Sequence, residues 1–564
     1  MISFLSNAIE LDILSSTTST DSSSEIQVPP VTIIVNPNVK NQYSSGNCGN
    51  QNLTCNNLQD ALTSFMKVAT LIPGFPNKDY HMYQMVTFLL TDGTYNFNSN
   101  SISLFNMNAT ITTLTPNSKS VIFSGGNPLS SSPLFSITGG SSDTGNQPSY
   151  TVLNGIQFNI SQPVLSVNTT SSFTDFKIYN CQFLNYFNKG SSMITINQGA
   201  SQLALENNAI YFVNSTFNSI STNVTLMSLT NTIVKVQSIN VSNGVLSSLI
   251  DAKYCSLDLV NGNFNGITSS NGLFVCWNST ISIGHSTFIG NYNNGVSTNI
   301  GGSVINMISN AINMYYFEIS YSTFINNSAV GNGGIVCAIN TLETTEIMPS
   351  YFINSSFTGS SSGGYGGVAF LVNIPLIIKG CTFGNSTSGI DGFSLYVSNT
   401  DLSVSNSTFI GADLPSSSSS SSSSVSKLGS SGTNYIFYAS ASNVTFQSTN
   451  IYKVSIDCED SLILINTMES GIVGPYQLSC SGICSITMGN LTLCSPASTT
   501  ISSSSTSSTS STSGTGTGSG SNTGGIHSSF VVSSSTQTST SESNQNSPLL
   551  VLIAIISIIF SITL

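Results

Sequence analysis

Between Val121 and Asn450 the hydrophobic residues fall in short runs broken by Asn, Gly and Ser. The runs are too short for helices and are bounded by turn-forming residues, so they predict short β-strands. One upstream segment differs. Leu58, Ala61, Leu62, Phe65, Met66 and Ala69 recur at the spacing of an amphipathic helix, with Asn56 or Asn57 as its N-cap. Strands are predicted on either side: "VTIIV" (Val31 to Val35), and "MVTFLLTDGTYNF", which ends in an Asp-Gly turn.

The short runs repeat. Aligned on Phe they read "GIQFNIS", "NCQFLNY", "NSTFNSI", "NGNFNGI", "HSTFIGN", "YSTFINN", "NSSFTGS", "GCTFGNS", "NSTFIGA" and "NVTFQST". Their aromatic positions are Phe158, Phe183, Phe217, Phe264, Phe288, Phe324, Phe357, Phe383, Phe409 and Phe446. The shortest intervals are 24 to 26 residues, longer ones of 33 to 37 carry insertions, and the 47-residue gap has room for two units. Strands at a fixed period without helices between them predict a solenoid, here an all-β parallel β-helix. In such a coil Phe faces inward and stacks on the Phe of the next coil at the strand spacing of about 4.8 Å. Asn takes a left-handed corner, and Gly-Gly makes a tight turn where positive φ is costly for other residues. Cys181 and Cys381 each precede a ladder Phe by two residues, and Cys255 and Cys276, about one coil apart, are expected to stack.

This places a polar segment at 1–30, a cap and first coils at 31–120, and the β-helix at 121–494 with a Cys-rich end. A Ser/Thr/Gly stalk follows at 495–546 and a hydrophobic tail at 547–564. The stalk composition cannot form a core, and the nine-Ser run Ser416 to Ser424 is a loop insertion. The tail "LLVLIAIISIIFSITL" would span about 24 Å as a helix, short of the ~30 Å hydrocarbon core. No basic residue follows it, and a small-residue spacer, "STSESNQNSP", precedes it. That order matches a glycosylphosphatidylinositol (GPI) attachment signal, with a short membrane tail as the alternative. The beginning, "MISFLSNAIELDILSSTT", lacks a basic stretch and is interrupted by Glu10 and Asp12, so the expected export signal lies upstream of it.

Two parts of the chain resemble known families. "FINNSAVGNGGIV" (Phe324 to Val336), echoed by "FIGN" (Phe288 to Asn291) and "GGVA" (Gly366 to Ala369), is similar to the FxxN…GGA[ILV] repeats of chlamydial polymorphic membrane proteins. "CGNQNLTCNNLQDALTSF…VTFLLTDGTY" resembles the opening of pectin-lyase-like proteins, where a helix caps the first coil. The resemblance covers roughly residues 31–450. It implies a right-handed parallel β-helix at the cell surface, often adhesive.

Composition narrows the function. Only 6% of residues are charged, against about 25% in typical soluble domains. All 11 basic residues are Lys, and the net charge of −12 excludes a nucleic-acid partner. Cys48 and Cys55 at the start, and Cys458, Cys480, Cys484 and Cys494 at the end, read as local disulfides of an oxidising compartment. The spacings of the last four match no zinc-ribbon pattern, so no metal is expected there. Fourteen Asn-x-Ser/Thr sequons occur, among them Asn52, Asn168, Asn214, Asn278, Asn326, Asn354, Asn385 and Asn443. That number is what so much Asn, Ser and Thr generates without selection.

Catalysis is not expected. Pectin-lyase-class glycosidases need paired carboxylates, often Asp-Asp, with a Gly-His-Gly, while their lyase and esterase relatives use Arg. Here there is no Arg, Asp-Asp or Gly-His-Gly. His285 and His81 read as surface or cap residues, and Asp92 and Asp391, each before Gly, as turn formers. Asp457 and Asp460 flank Cys458 in an end loop without EF-hand spacing. No catalytic residue and no cofactor is assigned. The expectation is a non-enzymatic cell-surface protein, held to the membrane by a lipid anchor or tail and meeting surface glycans or proteins. The alternative is a carbohydrate-active or carbohydrate-binding β-helix, which would need carboxylates or exposed aromatics on one face. If the GPI reading holds, phospholipase treatment releases the protein from cells and its mature C-terminus precedes Leu549; an intact Leu564 on the surface protein would leave the membrane tail instead.

Overall fold

The computed structural model describes residues 31–494 apart from internal segments, the longest being 70–84 and 412–436. The segment 1–30, the nine-Ser run, the stalk and the tail lie outside the described residues, as do Asn52 and His81.

One coil shows how the sequence folds. Strand Phe317–Ser320 meets a corner at Tyr321, followed by Thr323–Ile325, a corner at Asn326 and Ser328–Ala329. The turn through Gly333 and Gly334 then leads to Val336–Asn340, and the next coil begins at Ser350–Ile353. Stacked coils pair these strands into sheets of 17, 14 and 14 strands and one of six. In coil order the first sheet has 17 strands, the second 14, the third six short strands and the fourth 14. Among the described residues every pairing is parallel except Ser485–Met488 with Leu491–Cys494, which folds back over the C-terminal edge of the first sheet. The architecture is a right-handed parallel β-helix.

Corner chemistry accounts for the Asn content. Asn180, Asn214, Asn261, Asn354 and Asn406 occupy the first-to-second corner with φ between 45° and 57°. Asn tolerates this left-handed conformation better than other non-glycine residues. The residue after the corner turns inward and ties coils together: Ser322 Oγ accepts from Ser286 N (3.0 Å), and Ser355 Oγ from Ser322 N (3.1 Å). At the second corner the pair Asn326-Asn327 divides its work. Asn326 is exposed and left-handed, whereas Asn327 is fully buried and its Oδ1 accepts from the Asn291 backbone N and Nδ2. Gly333 has φ 68°, and a Cβ there would overlap the carbonyl oxygen of Val336.

The core holds an aromatic column on the second sheet. Register places Tyr95, Phe123, Phe158, Phe183, Phe217, Val241, Phe264, Phe288, Phe324, Phe357, Phe383 and Phe409 one above another. Rings within it stack closely: 4.5 Å for Phe183–Phe217, 4.8 Å for Phe288–Phe324 and 4.5 Å for Phe383–Phe409. Val241 occupies the coil inside the 47-residue gap.

Two expectations need correction. Phe446 does not continue the column: it lies on the first sheet between Val404 and Ile465, and its ring meets Phe409 edge-on at 6.2 Å. In "NVTF" the strand already begins at Asn443, so Val444 and Phe446 alternate inward on that sheet; the column passes through Ile451. Cys255 and Cys276 do not stack. Cys276 pairs with Ala252 and Met307 inside the fourth sheet, while Cys255 sits at a corner and donates its backbone N–H to Ser279 Oγ.

Helix Leu58–Ala69 packs against Val31–Val35, burying Leu58, Ala61 and Phe65. Asn57 is its N-cap, with Oδ1 accepting from Asp60 N at 2.8 Å. The Cys48–Cys55 disulfide holds the approach to the helix, and Cys55 bridges to Val35. Replacing Phe324 by Ala should leave a cavity between two stacked rings and lower stability by about 3–5 kcal/mol in urea unfolding. Phe187→Ala, at a ring that is 43% exposed, should change it by less than about 0.5 kcal/mol.

Candidate functional site

The outward side of the fourth sheet changes character along the helix. Val275, Asn306, Cys337 and Phe370 face outward in register yet are buried. The turn from the third sheet folds over this edge, and Asn306 Nδ2 donates to Asn271 O at 3.2 Å. The same column then continues as Phe370, Tyr396, Tyr438 and Asp457. Among the described residues the third sheet ends at Thr387–Ser388, and from there the column is only half-buried.

These rings form a continuous platform. Phe370 and Tyr396 stack at 4.9 Å, Tyr396 and Tyr438 at 4.8 Å and 6°, and Tyr365 leans on Tyr396 at 4.8 Å. Carboxylates border it. Tyr438 donates its hydroxyl to Glu459 Oε2 at 2.7 Å. Asp391 reaches the same region from the turn after the third sheet; burial, reinforced by the charge of Asp457, pushes its carboxyl up to about 6. Burial likewise raises the Tyr396 hydroxyl to about 12, with Tyr365, Glu459 and Asp391 adding to the shift. No strand of this sheet from Ile305–Ser309 to Gln477–Ser481 contains a lysine. The face is therefore aromatic and acidic. Its rings stack on one another, so ring edges, tyrosine hydroxyls and carboxylates face outward, a set that can lie against the apolar side of a sugar and hydrogen-bond its hydroxyls. Asp391, read from the sequence as a turn former, is a turn residue that also faces this platform.

Other singled-out residues lie elsewhere. His285 is an exposed corner residue whose ring stacks on Tyr321 at 5.0 Å. Asp460 is a left-handed corner accepting from Ile483 N at 2.7 Å, so it diverges from Asp457. Cys458 and Cys484 form a disulfide; Cys480 is also disulfide-bonded, its Sγ 3.1 Å from that of Cys484. The side chain of Cys494 lies outside the described residues. Asn214 and Asn354 are exposed at first-to-second corners, Asn326 and Asn385 at second-to-third corners, and Asn168 and Asn443 on strands. Asn278 differs: it is 8% exposed and its Nδ2 donates to Asn310 Oδ1 at 2.7 Å. On the first sheet Lys177 lies over the rings of Tyr150 and Tyr211, and Lys235 over Tyr211.

No protein-family model matches this chain, and no curated protein does. Among solved structures it is similar to tailspike protein 3 of bacteriophage CBA120, with 11% identity and a TM-score of 0.35. The match covers 77% of this chain and 59% of that one, so the chain spans less than two thirds of the tailspike's length.

The Asp391 carboxyl gives a pH signature. A carboxyl with a raised folded pKa binds its proton more tightly when folded, so its contribution to stability declines from about pH 4 to pH 6 and then levels off. Asp391→Asn should therefore narrow the difference in melting temperature between pH 4 and pH 7. An identical pH profile in the two proteins would mean that Asp391 is solvated.

Proposed function

We propose that this chain is a non-enzymatic cell-surface recognition protein whose β-helix binds glycans through the fourth-sheet face. The observation that carries this reading is the ladder Phe370, Tyr396 and Tyr438, with Asp391, Asp457 and Glu459 at its border. Buried stacking explains the Phe column, but outward rings contribute nothing to that core. Tyr396 and Tyr438, half-buried one strand apart, offer a sugar their edges and hydroxyls, with buried Phe370 backing them. The resemblance of "FINNSAVGNGGIV" to surface-protein repeats and the hydrophobic tail support display at a membrane. The low charge and Ser/Thr/Asn surface fit an extracellular setting.

The same face favours one second reading. A carboxyl held protonated up to about pH 6 beside another carboxylate is the pairing that acid-catalysed glycoside cleavage uses. Release of reducing ends that disappears in Asp391→Asn would establish catalysis in place of binding.

Binding is tested by co-sedimentation with insoluble cellulose, chitin and xylan. Tyr396→Ala should weaken retention about 2- to 12-fold, the equivalent of one aromatic contact of about 0.5–1.5 kcal/mol, without a change in fold by circular dichroism. Equal retention of both proteins on every polysaccharide would remove this face from consideration.

A further inference from the structure

The third sheet begins as abruptly as it ends, and its beginning also leaves a step. Its first strand is Val245–Leu246, whose neighbour toward the N-terminus is the single bridge residue Ser221. One coil earlier, Tyr186 turns inward and donates its hydroxyl to Ser191 O at 3.0 Å. Phe187 is consequently thrown outward, 43% exposed. Between it and the first third-sheet strands lies a cleft of about 530 Å³, lined among others by Phe187, Lys189, Thr222, Asn223, Val245 and Asn294. Its wall is firm: Thr222 Oγ1 donates to Asn188 O at 2.7 Å, and buried Asn188 accepts from the backbone N–H groups of Gly190 and Ser191 at 2.9 Å each.

The chemistry of this lining is unlike that of the fourth-sheet face. Among the described residues it is lined by hydroxyl and amide side chains, apolar Val245 and Leu246, one aromatic ring and one cation, with no carboxylate. Lys189 Nζ stands 5.8 Å from the Phe187 ring centroid, so the ammonium is held at the mouth. The volume falls within the range of small-ligand sites. A monosaccharide or disaccharide would fit, with its C–H face on Phe187 and its hydroxyls on Thr222, Asn223 and Asn294. A charge on that sugar would meet Lys189 with no acidic residue in the lining to repel it, although the chain as a whole carries −12.

We propose that this step is a second ligand site, specific for a carboxylate-bearing sugar. It does not rest on the glycan reading of the fourth-sheet face, because the two places share no residue. The test is saturation-transfer NMR on the full chain with glucuronate and, separately, glucose. Glucuronate should be saturated at least about fivefold more strongly than glucose. Lys189→Gln should bring the two sugars level, Lys189→Arg should retain the preference, and Phe187→Ala should weaken both. Equal signals from glucuronate and glucose, or a preference that survives Lys189→Gln, would overturn the assignment. So would the absence of any signal from folded wild-type protein. Tyr396→Ala, run alongside, should leave the glucuronate signal intact; its loss there would transfer the site to the fourth-sheet face.

Discussion

Everything in this molecule depends on parallel strands stacking in register, so that each side chain meets its own counterpart one strand away. The Phe288–Phe324 pair, parallel to within 1° at 4.8 Å, expresses that constraint most directly. Such stacking rewards sameness. A Phe on a Phe, an Asn amide on an Asn amide or a Ser hydroxyl on the next backbone N–H each satisfies one coil by repeating the coil before. Buried polar groups are tolerable here because the partner is supplied by the same position of the neighbouring coil.

That constraint made the core legible from sequence. The Phe interval, the Asn before it and the Gly-Gly after it are one-dimensional signals, and the helix Leu58–Ala69 stood out by its 3.6-residue period. Legibility failed where alternation and motif part company. "NVTF" looks like "NSTF", but its Asn443 is a strand residue whereas Asn406 is a corner, so the two phenylalanines point at different sheets. Cys255 and Cys276 matched in spacing but not in position within the coil. Tyr95 and Phe123 belong to the column although Asp92 and Ser120 stand three residues before them, where most later members carry Asn or Gly.

Neither candidate site could be read in advance. Phe370, Tyr396, Tyr438 and Asp457 are separated by unequal insertions, and only register brings them into one column. Phe187 and Val245 are neighbours because a short sheet begins between them. Both places lie at an end of the third sheet, where the repeat changes its cross-section. Sameness builds the core; recognition surfaces arise where the sameness breaks.

The coil corner has a biosynthetic consequence. At Asn214 and again at Asn406 the chain needs a left-handed Asn, then an inward Ser, then an outward Thr to open the strand. Those three residues in that order are also the acceptor for an N-linked glycan. In a cell that glycosylates its exports, lengthening this solenoid by one coil of that type adds an attachment point, whether or not a sugar there is useful. Corners escape where Gly380 replaces Asn, where Gln182 or Asn263 stands in place of the outward Thr, or where Asn278 is drawn inside by Asn310. The sugar coat of such a protein would thus be inherited from its turns.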